Sequence, residues 1–192
     1  MVDVDASDDL TVLVVDDEKE VADAYALRLQ GYCDVTTAYD GNEALSIVEE
    51  TAVDIVLLDR HMPDMSGDDV LAELDDRAYY GRVIMVTAVD PGFDVLGMPF
   101  DDYLCKPVDR EDVRAAVNQQ RMVLAFETLG EYFQVESKRA VITAETSANQ
   151  RQDNERYADI SRRADRLERR ARRLLDDPGI LDQFDQISRE SF

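Results

Sequence analysis

The chain has 192 residues, enough for one domain of ordinary size and an appendage, and carries 43 acidic against 21 basic side chains for a net charge of −22. So negative a field disfavours binding to nucleic acid phosphates, and no apolar run approaches the ~18 residues of a membrane span. The opening MVDVDASDDL lacks the charged and apolar regions of a leader, and Cys33 and Cys105 show neither CxxC spacing nor a disulfide framework, so a soluble cytoplasmic protein with reduced thiols is expected.

In chain order, the first apolar run covers 10–15 and ends at Asp16 and Asp17. The second covers 55–58 and ends at Asp59, with His61 two residues on. The third, 83–86, ends at Thr87. A segment containing Pro91, Gly92, Gly97 and Pro99 follows and leaves room for only a short helix. The run 103–105 then leads to Lys106 and Pro107. Each run is apolar and bounded by charge or proline, the pattern of a strand covered on both faces. Helix-period segments lie between them, so an α/β fold with a doubly wound parallel sheet is predicted, its ligand crevice at the carboxyl ends of the strands. A further helix should begin near Asp109, with Asp109 and Asp112 at its amino end, bury Val113, Val117 and Leu124, and continue through Phe126, Leu129 and Phe133.

The crevice thus collects Asp16, Asp17, Asp59, Thr87 and Lys106. Taken singly, an Asp-Asp pair is an ordinary helix cap, Lys106-Pro107 an ordinary loop and Thr87 an ordinary strand residue. Together they describe a phosphoryl acceptor. Three carboxylates repel one another unless cations compensate; Lys106 supplies one charge, and a divalent ion the other. Mg2+ suits an all-oxygen site that keeps waters and leaves positions for phosphoryl oxygens. The hydroxyl of Thr87 and the ammonium of Lys106 can each take one phosphoryl oxygen, stabilising transfer to the Asp59 carboxylate by position and charge. His61, the only histidine, cannot build a histidine-rich metal site, and its imidazole is placed at the mouth, where it would modulate hydrolysis of the acyl phosphate.

In these motifs, VVDDE, LLDRHMP and LCKP, residues 9–122 resemble the receiver domain of two-component response regulators, a CheY-like, flavodoxin-like fold with a five-stranded parallel sheet. The family's acidic pair corresponds to Asp16 and Asp17, its phosphoacceptor to Asp59, its hydroxyl residue to Thr87, and its Lys-Pro to Lys106 and Pro107. Pro63 and Gly67 also fall in the family's places. The resemblance implies Mg2+ bound by Asp17, Asp59 and the backbone carbonyl of His61, with Asp16 acting through water. It implies phosphoryl contacts from Thr87, Ala88 and Lys106, a switch made of Thr87 and Tyr103, and a sensor histidine kinase as the donor. A haloacid-dehalogenase phosphatase would need an aspartate at position 61, and no nucleotide-binding GxxxxGK[ST] occurs, so a regulator rather than an enzyme is expected.

Charge marks the join with the tail: residues 1–137 carry 9 basic and 32 acidic side chains, whereas 138–192 carry 12 and 11. A polar stretch over 143–154 separates two helical patterns. In the second, Tyr157, Ile160, Ala164, Leu167, Ala171 and Leu174 line one face, and the helix should stop before Pro178-Gly179. An all-α helical hairpin or coiled-coil appendage over 123–178 is predicted, closed on itself, on the receiver or on a second subunit, with 1–8 and 179–192 as flexible ends. LGEYFQVESKRAVITAE at 129–145 and the Tyr157 helix resemble the HalX domain of haloarchaeal regulators. Of the 21 basic residues 18 are arginine. With the large negative charge, whose self-repulsion molar salt screens to a Debye length of ~3 Å, this points to a halophile's cytoplasm. The tail's output is expected through a homodimer or a partner protein. DNA binding through Arg162, Arg163, Arg166, Arg169, Arg170, Arg172 and Arg173 is the alternative.

Overall fold

A computed structural model of the chain describes residues 10–175 and 179–181. Five strands, β1 (Thr11–Val15), β2 (Asp34–Ala38), β3 (Ile55–Leu58), β4 (Arg82–Thr87) and β5 (Asp102–Cys105), form one all-parallel sheet in the order β2-β1-β3-β4-β5. The interior strands are buried along nearly their whole length, while β2 alternates exposed and partly buried residues and β5 is only partly buried. That contrast is what edge position dictates: only the middle of a parallel sheet is covered on both faces. The predicted runs correspond to β1, β3, β4 and β5 within a residue at each end.

Helices α1 (Lys19–Leu29), α2 (Gly41–Glu50) and α3 (Gly67–Asp76) connect the first four strands. One core cluster joins Leu13, Val15, Val56, Leu58, Val83 and Met85 of the sheet to Ala44 and Leu45 of α2 and to Val70, Leu71 and Leu74 of α3. The intervening Val12, Val14, Leu57 and Ile84 point to the opposite face and are equally buried, as are Ala22, Tyr25 and Leu29 of α1. Between β4 and β5 the expected short helix is a single 3-10 turn, Phe93–Gly97, with Phe93 94% and Leu96 80% exposed. Helix α4 (Arg110–Glu145) starts under an aspartate cap, Asp109 Oδ1 accepting from the N–H groups of Glu111 and Asp112 at 2.8 and 2.9 Å. It buries Val113, Val117 and Leu124.

The chain divides into two compact units, 1–121 and 122–192. In the second, α4 is followed by α5 (Ala148–Gln152) and α6 (Glu155–Leu174). Leu129, Tyr132 and Val135 of α4 form a core with Ala164, Leu167 and Ala171 of α6, so this hairpin closes on itself. Near the connection the Thr143 and Tyr157 hydroxyls lie 2.9 Å apart. The expectation of a flexible end from 179 onward is corrected at its start. Residues 179–181 are helical, and Leu181 is fully buried in the same core, where its apolar side chain leaves water. The rest of that end, Pro178 and the amino-terminal 1–8 lie outside the described residues. No helix among the described residues is long and apolar enough to cross a membrane.

Candidate functional site: a carboxylate and lysine cleft at the strand ends

Register assembles the site. Val15 of β1 is paired with Leu58 of β3, so Asp16 and Asp59 leave adjacent strands side by side, and the Asp59 N–H donates to the Val15 carbonyl at 2.9 Å. On β4, the strand next to β3, Thr87 is opposite Cys105 of β5, which delivers Lys106 to the same edge, its N–H donating to the Thr87 carbonyl at 2.8 Å. The Lys106-Pro107 peptide is cis.

Lys106 Nζ donates to Asp16 Oδ2 at 2.6 Å and to Asp59 Oδ1 at 2.7 Å. Both carboxylates are buried, Asp16 2% and Asp59 6% exposed. The second Asp59 oxygen, Oδ2, accepts from the His61 backbone N–H at 2.8 Å. Asp16 Oδ1 accepts from Glu18 N–H at 3.0 Å, so this aspartate holds the loop as well as the lysine, whereas the amino-terminal cap of α1 is Glu18. Burial raises the Asp16 pKa above its ordinary 3.8 despite the opposing pull of Lys106. Burial alone would depress Lys106, but hydrogen bonds and charge from Asp16 and Asp59 outweigh it and hold the ammonium above its ordinary 10.5.

Asp17 is exposed and makes no hydrogen bond with this cluster among the described residues. No three histidine, cysteine, aspartate or glutamate side chains there are drawn together around a common point. The donor set nevertheless fits Mg2+: Asp16, Asp17 and Asp59 against Lys106 leave two negative charges in excess. The carboxylates are hard oxygen donors, and Mg2+ needs only one or two of them beside its waters.

Thr87 is fully buried, and its Oγ1 accepts from the Val89 N–H at 3.3 Å. Tyr103 Oη donates to the Val89 carbonyl at 2.9 Å while its ring packs on Phe100 with centroids 5.5 Å apart. The two residues expected to form a switch therefore meet on one peptide segment rather than touching each other. Val89, known from sequence only as a residue after the strand, acts through its backbone and carries no side-chain signal that could have marked it. Ala88 is exposed beside it. Arg60 was likewise not singled out. Its Nε donates to both carboxylate oxygens of Asp68 at 3.0 and 3.2 Å, and its carbonyl accepts from Gly67 N–H at 2.9 Å, closing the loop after Asp59. An Arg-to-Asp spacing of eight residues spanning the Pro63 to Gly67 turn was the available signal.

At Gly67 a Cβ would fall 2.1 Å from the Asp59 carbonyl oxygen, which is backbone and cannot step aside. Gly67→Ala should therefore destabilise the first unit by about 1–3 kcal/mol, the range of an overpacked contact, and displace Asp59. Urea unfolding should show the loss. Wild-type stability would mean that the loop repacks freely.

Residues 12–118 match the response regulator receiver domain, and the chain belongs to that family. Residues 123–190 match the HalX domain. A protein of Haloferax volcanii named "Putative transcriptional regulator" is 47% identical over 133 residues, which are 68% of this chain and 23% of the relative. The chain thus spans about a quarter of that relative's length. Among solved structures, a CheY-like receiver domain protein from Methanospirillum hungatei is 26% identical with a TM-score of 0.57, covering 62% of this chain and 98% of that one. The receiver domain of a Francisella response regulator is 30% identical with a TM-score of 0.55, covering 58% and 95%.

Proposed function

We propose that the chain is a two-component response regulator in which Asp59 accepts a phosphoryl group from a sensor histidine kinase. The observation that carries this reading is the convergence of Asp16, Asp59 and Lys106 at the strand ends, with 2.6 and 2.7 Å contacts to the ammonium. An Asp59 oxygen forms the new bond to phosphorus as the bond from phosphorus to the donor imidazole nitrogen breaks. That nitrogen keeps the electron pair and takes up a proton. The His61 N–H holds the other Asp59 oxygen, so the carboxylate presents one face to the donor. Lys106 moves its charge from the carboxylates to a phosphoryl oxygen, and Thr87, whose hydroxyl proton is uncommitted while Oγ1 accepts from Val89, donates to another, with Ala88 alongside. Asp17, Asp59 and the His61 carbonyl would hold Mg2+, with Asp16 acting through water, and the ion supplies the charge neutralisation that in-line phosphoryl transfer needs.

The readout follows from the shared peptide. When Thr87 turns to the phosphoryl group it gives up the Val89 N–H, and Tyr103, which holds the Val89 carbonyl, is released with it. The chain is a stoichiometric cytoplasmic acceptor with slow self-dephosphorylation at most, and its helical tail passes the change on through a homodimer or a partner protein. DNA binding through the arginines of α6 is the second reading, favoured by the relative's name. Intact mass and size in molar salt with Mg2+, before and after acetyl phosphate or a phosphorylated kinase, test the assignment. A gain of one phosphoryl group is expected. No gain from either donor would sink the acceptor, and sustained turnover of an external phosphate ester would contradict a non-enzyme.

A further inference from the structure

We propose that the arginine face of α6 docks on the carboxylate corner where α2 and α3 end, in the receiver unit of a second copy of this chain. Arg162, Arg166 and Arg169 follow one another at four- and three-residue spacing, so they share one face of α6, and all three are exposed. The opposite face, Ala164, Leu167 and Ala171, is committed to the core with α4. Arg162 has a partner on its own helix, Asp159, and Asp165 is reached by Arg139 at 3.5 Å. Arg166 and Arg169 make no ion pair among the described residues, so positive charge is left pointing away from the hairpin in an otherwise acidic chain.

The complement lies in the other unit. Helix α2 ends in Glu49 and Glu50, helix α3 in Asp75 and Asp76, and neither has a basic residue in its last turn. Carboxylates there oppose the negative end of the helix dipole, the reverse of the favourable arrangement. The neutralising group there among the described residues, Arg77, follows α3 and bridges to Glu49 and Glu73, tying the two helix ends together. Glu50, Asp75 and Asp76 are exposed and make no ion pair among the described residues. Among the described residues, two helix carboxyl ends and their carboxylates share a single arginine, and a stripe of three arginines meets that deficit.

A protein partner is favoured over nucleic acid because the net charge of −22 opposes approach to a polyanion. A second copy brings both surfaces, so two chains can exchange the contact reciprocally. The docking surface is independent of the phosphoryl chemistry, and no phosphorylation is needed to test it.

Sedimentation velocity over a concentration series of the full chain in 1 M KCl provides the test. Wild type should self-associate, and R162E/R166E/R169E and E50R/D75R/D76R should each weaken association at least tenfold. An equimolar mixture of the two charge-reversed variants should associate again, because reversed stripe meets reversed corner and native stripe meets native corner. A monomeric wild type, unweakened variants, or a mixture no more associated than its components would overturn the proposal. So would DNA retention lost in the arginine variant and kept in the corner variant, which would assign the stripe to nucleic acid. Circular dichroism checks folding, and R166Q/R169Q replaces the reversed variant if that one does not fold.

Discussion

Asp59→Asn is expected to abolish phosphorylation while leaving the receiver unit folded. The amide is nearly isosteric with the carboxylate and can still accept from the His61 N–H, but it has no anionic oxygen with which to form an acyl phosphate. Replacing one of two carboxylates that share Lys106 also removes a repulsion between Asp16 and Asp59, so stability should be equal to or above that of wild type. Intact mass after incubation with a phosphoryl donor is the readout, with urea unfolding alongside. Uptake of one phosphoryl group by the variant would place the acceptor elsewhere, and His61, two residues on, would be the next residue to substitute.

Lys106→Met should weaken the protein and its chemistry together. The ammonium touches two buried carboxylates, and breaking such a set leaves uncompensated charge, which costs up to about 3–5 kcal/mol when burial is complete. The lysine side chain is 20% exposed, so about 1–3 kcal/mol is the expected loss in chelator at neutral pH. Phosphorylation should slow by about 10²-fold, the scale for losing one electrostatic stabiliser of a transition state. Mg2+ should restore part of the stability and little of the rate, because the ion replaces charge but not the contact proposed between Lys106 and the phosphoryl group. Wild-type stability for the variant in chelator would show that the ion pair contributes nothing in solution.

The pH dependence has a definite sign. Lys106 titrates higher in the folded than in the unfolded chain, so its contribution is fully present below the ordinary 10.5 and is lost as pH rises through the folded value. Lys106→Met should lack that alkaline loss. Asp16 also titrates higher when folded, so its contribution is present below 3.8 and falls as pH rises through its folded value. At neutral pH the buried Asp16 carboxylate is thus a cost that Lys106 partly offsets.

Much of the receiver unit was legible because its polar cluster sits where apolar runs stop. Strands buried on both faces must be apolar throughout, so the first polar residue after each marks the sheet edge, and Asp16, Asp59, Thr87 and Lys106 were located in this way. Strand β2 carries no such mark. Its DVTTA alternates because it is an edge, and five strands were expected from the family resemblance, not from that segment. The 3-10 turn at 93–97 was anticipated in length from Pro91, Gly92, Gly97 and Pro99, but not the near-complete exposure of Phe93 and Leu96, which depends on what packs nearby.

The chain by itself determined which residues reach the carboxyl edge of the sheet and which face of α6 is apolar, because both follow from periods of two and 3.6 that act over a few residues. Tertiary structure alone decided that one ammonium bridges Asp16 and Asp59, since this needs Val15 beside Leu58 and Thr87 beside Cys105 at once. It decided that Thr87 and Tyr103 meet on the backbone of Val89, a contact with no side-chain signature. It also decided that Leu181 closes the second core, because burial of a lone leucine beyond a proline is set by the space the facing helices leave, and local sequence does not describe that space.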